Sequence, residues 1–285
     1  MDFKKVSFFK VFAPNCPTIE TSDLNQNNLQ TSDLEENINL KIFGLSIRGP
    51  SHITSDIPCQ DACNYKILDK NKGIIAIADG LGSAPFSDIG AKFCVKSAID
   101  LIQKMYVESY LDDINIEEIV FQVIEETRTN LVDYSLINKY NLQDLACTLI
   151  IVLIDGNNCA VSQIGDGAVV SSYGDDIFLI SEPNNLEYRN EVIPITSDQW
   201  KEFVIVRKTS NFNNIAVFTD GVQDALMQKI DGKWVVNSNG FKYLFSWAKS
   251  QTNEEESIAE MERVLNNKFA LVSSDDKTLV ILVKE

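Results

Sequence analysis

Three aspartates in this 285-residue chain stand where apolar runs stop: Asp79 ends IIAIAD, Asp166 ends VSQIGD and Asp220 ends IAVFTD, each followed by glycine. Asp61 comes just before another strand-like run, and the Asp275–Asp276 pair just before the last one. A carboxylate at the mouth of a buried strand is costly unless it is solvated, paired or bound to a cation. Several converging there would repel one another, and a divalent cation is the usual remedy. Oxygen donors without imidazole or thiolate select Mg or Mn over Zn or Cu. The glycine after each aspartate permits a sharp turn and lets backbone approach an ion. The competing reading is a plain turn, because the chain holds five Asp-Gly pairs, at Asp79, Asp155, Asp166, Asp220 and Asp231. Asp155 and Asp231 lie in polar hairpin or loop sequence and read as turns. Any one of the other three alone reads the same way. Their joint pattern with Asp61 and Asp275 is what points to a cation.

Composition narrows the chemistry further. Lys plus Arg is 25 against 41 Asp plus Glu, a formal net charge of −16. That balance argues against nucleic acid or an anionic membrane as partner, since phosphate backbones are held by clustered Lys and Arg. The single histidine, His52, excludes paired-histidine metal centres and Cys/His zinc fingers, and any Ser–His–Asp mechanism would have to run through it. The six cysteines form no CxxC pair and no disulfide framework. No run approaches the ~20 apolar residues of a membrane span. The expectation is a cytoplasmic protein with reduced thiols.

The elements that must position these aspartates are legible from periodicity. Residues 14–37 are polar and acidic without aromatics, and 1–40 reads as a flexible extension. KIFGLSIR (41–48), ACNYKIL (62–68) and GIIAIAD (73–79) read as strands. Ser87 is placed to cap a helix with apolar residues at helical spacing through Met105. A second helix carries Ile116, Ile119, Val120, Val123, Ile124 and Leu131 on one face, with Glu117 and Glu118 in its first turn. ACTLIIVLI (146–154) and CAVSQIG (159–165) form a hairpin, and AVVSSY pairs with IFLIS across Gly174–Asp176. Such short connections force antiparallel neighbours. EFVIVR and NIAVFTD follow a polar insertion (182–200), then come further helices, one over Glu254–Asn267, and a closing strand TLVILVK (278–284). The order predicts α+β layers in one domain, 41–285, with no doubly wound parallel sheet.

GPSHITSDIPCQDAC followed by AIADGLGSAPFSDIGAK resembles the opening motifs of the metal-dependent, type 2C protein phosphatases, in the bacterial subgroup with an SH…CQDA start. LACTLIIVLIDGNNCAVSQIGDGAVV, AVFTDGVQDAL and SDDKTLVILV continue the match in order, so the resemblance covers roughly residues 41–285. It implies a central sandwich of two antiparallel sheets flanked by antiparallel helix pairs. It also implies metal ligands at Asp61, Asp79, the Gly80 carbonyl, Asp220 and Asp275, with Asp166 and Asp224 where some members bind a weaker third ion. The implied cofactor is Mn2+ or Mg2+. Gln60 replaces the usual glutamate before the first ligand, Leu81 stands where some members carry a histidine, and the phosphate-gripping arginine has no obvious counterpart. His52 is the candidate to contact phosphate or protonate the leaving group, and Arg48 competes for the phosphate role.

The implied reaction is hydrolysis of a phosphoserine or phosphothreonine protein by a water activated between two ions. A kinase acting on the same substrate is the implied partner. Ser181–Trp200, with Arg189, falls where the family places a flap beside the site. The departures keep an alternative open: a weak or inactive module of the same fold that binds a phosphoprotein. A third reading, a structural cation site with chance Asp-Gly turns, requires the five-motif order to be coincidence.

Overall fold

The computed structural model describes residues 39–108, 115–184 and 192–285. The extension read over 1–40 therefore falls almost wholly outside the described residues, as do Arg189 and the middle of the flap segment. The first sheet takes β1 (Leu40–Ile47), β6 (Ala168–Tyr173), β7 (Asp176–Ser181), β9 (Asn214–Phe218) and β12 (Lys277–Lys284), in the order β1-β12-β9-β6-β7. The second takes β2 (Ala62–Asp69), β3 (Lys72–Ala78), β4 (Leu149–Asp155), β5 (Asn158–Ile164) and β8 (Ile205–Ser210), in chain order. Every pairing in both is antiparallel. Gly156 at φ 59° and Gly174 at φ 57° turn the β4–β5 and β6–β7 hairpins, the left-handed backbone that short hairpins require.

The sheets pack face to face. Ile75, Ile77, Ile150 and Val152 of one meet Val169, Val217, Val280 and Leu282 of the other, all essentially inaccessible to water. Because alternate residues of a strand point to opposite faces, Ile74, Ala76, Ile151 and Leu153 face outward, and there α2 (Ser87–Val107) and α3 (Ile116–Asn138) cover them. On the opposite side Phe43, Phe218 and Ile281 pack against α6 (Ser238–Ser250) and α7 (Glu254–Asn267). Strands buried on both faces are uniformly apolar, which is why β4 and β12 show no alternation of polar residues.

Short helices complete the chain: α1 (Pro50–Ser55), α4 (Trp200–Phe203) and α5 (Asp220–Leu226). Two local expectations need correction. Ser87 does not cap α2: it is the first helical residue, Phe86 holds the cap position, and the Ser87 hydroxyl is buried without a partner. The stretch after α5 is not helical at once, because β10 (Met227–Ile230) and β11 (Lys233–Val236) form a separate hairpin turned by Asp231 and Gly232, both at positive φ. Asp231 is thus a turn residue, as expected of it.

Candidate active site

Strand register brings the aspartates to one end of the sandwich. Ala62, which follows Asp61, pairs with Ala78, which precedes Asp79. On the other sheet Phe218 pairs with both Leu279 and Ala168, so Asp220 just after β9 lies beside Asp275 before β12 and Asp166 before β6. The carboxylates feel one another directly. Asp79 lies next to Asp61 and Asp220 and is repelled as well by Asp166 and Asp275.

Burial and this repulsion both disfavour charge. The Asp79 carboxyl is pushed well above the usual carboxylate range, chiefly by burial and then by the charges of Asp61 and Asp220. Burial pushes Asp61 up to about 7, against the hydrogen bonds of two threonines that favour its ionised form. Asp220 rises to about 8, through burial and then the charges of Asp166 and Asp275, and Asp166 to about 6 for the same kinds of reason.

Each acid is held by its surroundings. Oδ2 of Asp61 accepts from the hydroxyls of Thr219 at 2.7 Å and Thr278 at 2.8 Å. The backbone of Asp79 is clasped by Thr148, whose Oγ1 accepts the Asp79 N–H at 2.9 Å and whose N–H donates to the Asp79 carbonyl at 2.7 Å. Gly80 bridges to Cys147, and its N–H donates to the Gln60 carbonyl at 3.1 Å. Asp220 is the first residue of α5, and Asp224 sits one turn further on, exposed. The Asp276 N–H donates to Oδ1 of Asp275 at 2.8 Å.

His52, on α1, sets Nδ1 2.8 Å from Oδ2 of the buried Asp276. Arg48 spends Nη2 on the His52 carbonyl at 2.8 Å and on Asp56 at 3.2 Å, closing the end of α1. Lys277 is fully buried, with Nζ donating to the Asp275 carbonyl at 2.6 Å; burial lowers its pKa while Asp275, Asp276 and Asp61 oppose that shift. Thr219, Thr278 and Lys277 are not among the residues the sequence singles out, and Asp276 enters there only as the second acid before the last strand, without a role. Their signal was weak: a hydroxyl or charge within three residues of a candidate ligand is common, and only contact separates a support from a bystander.

The donor set fits a hard divalent cation. It is all oxygen, its charges destabilise one another, and the buried Ser87 hydroxyl lies unpartnered against Gly80. Among the described residues no three acids close on one point to cage an ion unaided. An open oxygen set of this kind leaves positions on a hard cation for water. Beside Asp61 a cleft of about 490 Å³ runs between β2 and α2, past Ser46, Asn64, Lys92 and Lys96.

Comparison with known proteins agrees with this fold. A family model for protein phosphatase 2C matches residues 48–266. The chain is 28% identical over 243 residues to serine/threonine-protein phosphatase 3 of Escherichia coli (strain K12), covering 82% of this chain and 94% of that protein. Its fold is similar to that of the serine/threonine phosphatase Stp1 from Staphylococcus aureus, with TM-score 0.55 and 14% identity over 92% of this chain and all of the other. The S. agalactiae serine/threonine phosphatase gives TM-score 0.59 at 14% identity, over 86% of this chain and all of the other. With two-sheet architecture, converging aspartates and a family match over most of its length, the chain belongs to the protein phosphatase 2C family.

Proposed function

We propose that the chain is a metal-dependent protein serine/threonine phosphatase whose ions are Mn2+ or Mg2+, held by Asp61, Asp79, the Gly80 carbonyl, Asp220 and Asp275. The observation that carries the ligand assignment is the end-of-sandwich cluster: aspartates from both sheets, Asp61 and Asp166 buried, Asp79 and Asp220 half-buried and Asp275 exposed at its edge, that repel one another and so favour a cation between them. Asp166 joins that cluster and Asp224 lies one turn beyond Asp220 on the exposed side of α5, which suits a weaker third ion. When bound, the ions would lower the pKa of a water and offset charge growing on the phosphoryl oxygens. The protein's own residues do the remaining work. Thr219 and Thr278 orient Asp61. His52 meets phosphate or the leaving oxygen, and Arg48 holds the helix that carries His52.

The substrate is a phosphoserine or phosphothreonine protein, shared with the kinase that phosphorylates it. A reducing cytoplasm in a bacterial cell suits the molecule. Among the described residues Cys59, Cys63, Cys94, Cys147 and Cys159 are free, and no described helix is long and apolar enough to cross a membrane. The test is turnover of p-nitrophenyl phosphate and a phosphothreonine peptide with Mn2+, with Mg2+ and with chelator, beside Asp220→Ala. Metal-dependent turnover lost in the variant is expected. Metal binding and phosphopeptide binding without turnover would replace the enzyme by a phosphoprotein-binding module.

A further inference from the structure

Asp276 commits both carboxylate oxygens to the segment that leads to Asp61. Oδ1 accepts the Gly49 N–H at 2.6 Å, Oδ2 accepts the Gln60 N–H at 2.6 Å, and the same Oδ2 faces Nδ1 of His52 at 2.8 Å. A carboxylate receiving two backbone N–H donors is an acceptor, so the ring nitrogen opposite it carries a proton. Among the described residues nothing else hydrogen-bonds the ring, which leaves Nε2 available. The same stretch of backbone also holds a proposed ligand. Gly49 packs so tightly that a Cβ there would stand 2.2 Å from the Asp275 carbonyl carbon, and Ser51 donates both N–H and hydroxyl to the Ser274 carbonyl.

We infer that Asp276 is a positioning residue that fixes His52 in the Nδ1–H form and joins it rigidly to the Asp275 side of the site, so that Nε2 serves the leaving oxygen. The inference rests on the reading of His52 given above. In the step, a water oxygen forms a bond to phosphorus while the bond from phosphorus to the serine or threonine oxygen breaks. The leaving oxygen keeps the bonding pair and takes the Nε2 proton of the imidazolium, departing as the alcohol. The ring is left neutral with Nδ1–H still on Asp276, and the proton released by the attacking water restores it by way of solvent. Nothing is oxidised or reduced. Without Asp276 the ring can rotate or change tautomer, and the proton is no longer held where the leaving oxygen needs it.

The leaving group separates this role from support of the metal ligands. A threonine alkoxide must be protonated as it leaves, whereas p-nitrophenolate leaves as a stable anion. For Asp276→Asn the expected result is a fall in kcat on a phosphothreonine peptide of about 10²-fold or more. Turnover of p-nitrophenyl phosphate should then fall less than about 10-fold, with Mn2+ affinity by calorimetry within about threefold of wild type. His52→Asn should show the same selective loss, and the double variant should be no worse than either single one. Equal loss on both substrates, or loss of Mn2+ affinity with it, overturns the inference and makes Asp276 a support for Asp275. Selective loss in His52→Asn without it in Asp276→Asn overturns the positioning role alone. No selective loss in His52→Asn overturns the reading of His52, and the inference with it. A second measurement does not depend on the variants folding. With one histidine in the chain, the imidazole 15N spectrum of the wild type has a single assignment, and the neutral ring should show Nδ1–H with bare Nε2. A ring protonated at Nε2 with bare Nδ1 overturns the inference.

Discussion

The Thr278 hydroxyl donates to Oδ2 of Asp61 at 2.8 Å, tying the start of the last strand to a carboxylate 217 residues earlier in the chain. Thr219 donates to the same oxygen, and its own Oγ1 accepts the Thr278 N–H at 3.0 Å, so the two threonines and the acid form one closed set. Asp61 is thereby held in one rotamer from the opposite sheet.

Thr278→Val keeps the shape and β-branching and removes the hydroxyl. Mn2+ affinity should fall by about 10-fold, the usual scale for losing a group that orients a metal ligand. Stability without added metal should fall by about 1–2 kcal/mol, because Asp61 and Ser46 each lose a buried partner. Calorimetric titration and thermal melts check the two figures.

Asp79→Asn is isosteric and cannot carry charge. Turnover should fall by at least about 10²-fold. Melting temperature in chelator should rise by a few degrees, because burial and the neighbouring Asp61 and Asp220 charges disfavour a charged carboxylate here, and the amide carries no charge. A variant that is both less active and less stable in chelator would contradict the electrostatic account.

The pH dependence has a definite sign. Asp61, Asp166 and Asp220 have folded pKa values of about 7, 6 and 8, above the ordinary 3.8, so the folded state binds more protons than the unfolded chain between those limits. Stability in chelator should therefore be greatest below about pH 4 as far as these groups are concerned, and decline as pH rises to about 8. Saturating Mn2+ should flatten or reverse that decline, since the cation competes with the same protons. Chelator and Mn2+ melts from pH 4 to 8.5 measure it.

Gly221→Ala would place a methyl carbon 1.8 Å from the Asp276 carbonyl oxygen, a contact with backbone that no rotamer change relieves. The expected cost is about 1–3 kcal/mol, read as a fall of several degrees in melting temperature. Ala at Gly232, which has open space and φ 79°, should act only through backbone strain of about 1–2 kcal/mol.

Much of the architecture was readable because its signals are local. A run such as GIIAIAD needs no partner to be recognised as a strand buried on both faces, and α7 was bounded correctly from its apolar stripe at Ile258, Met261, Val264 and Leu265. The β10–β11 hairpin is not legible in the sequence because its strands have four residues each and mix lysines with apolar positions, too short for either period to show. Ser87 reads as a cap in the sequence because a serine before an apolar-periodic run is the same signal whether its hydroxyl meets the helix end or is buried against Gly80.

The sequence by itself determined which residues carry acid, where each apolar run stops, and the order of the five motifs that resemble one family. Those are properties of adjacent positions. Only the tertiary structure decided that Asp61, Asp79, Asp166, Asp220 and Asp275 repel one another. It alone separated Asp275, facing the cluster, from Asp276, spent on Gly49, Gln60 and His52. The physical reason is that charge repulsion and hydrogen bonding act over a few ångströms of space, and antiparallel register across two sheets sets those distances between residues as far apart in the chain as Asp61 and Thr278.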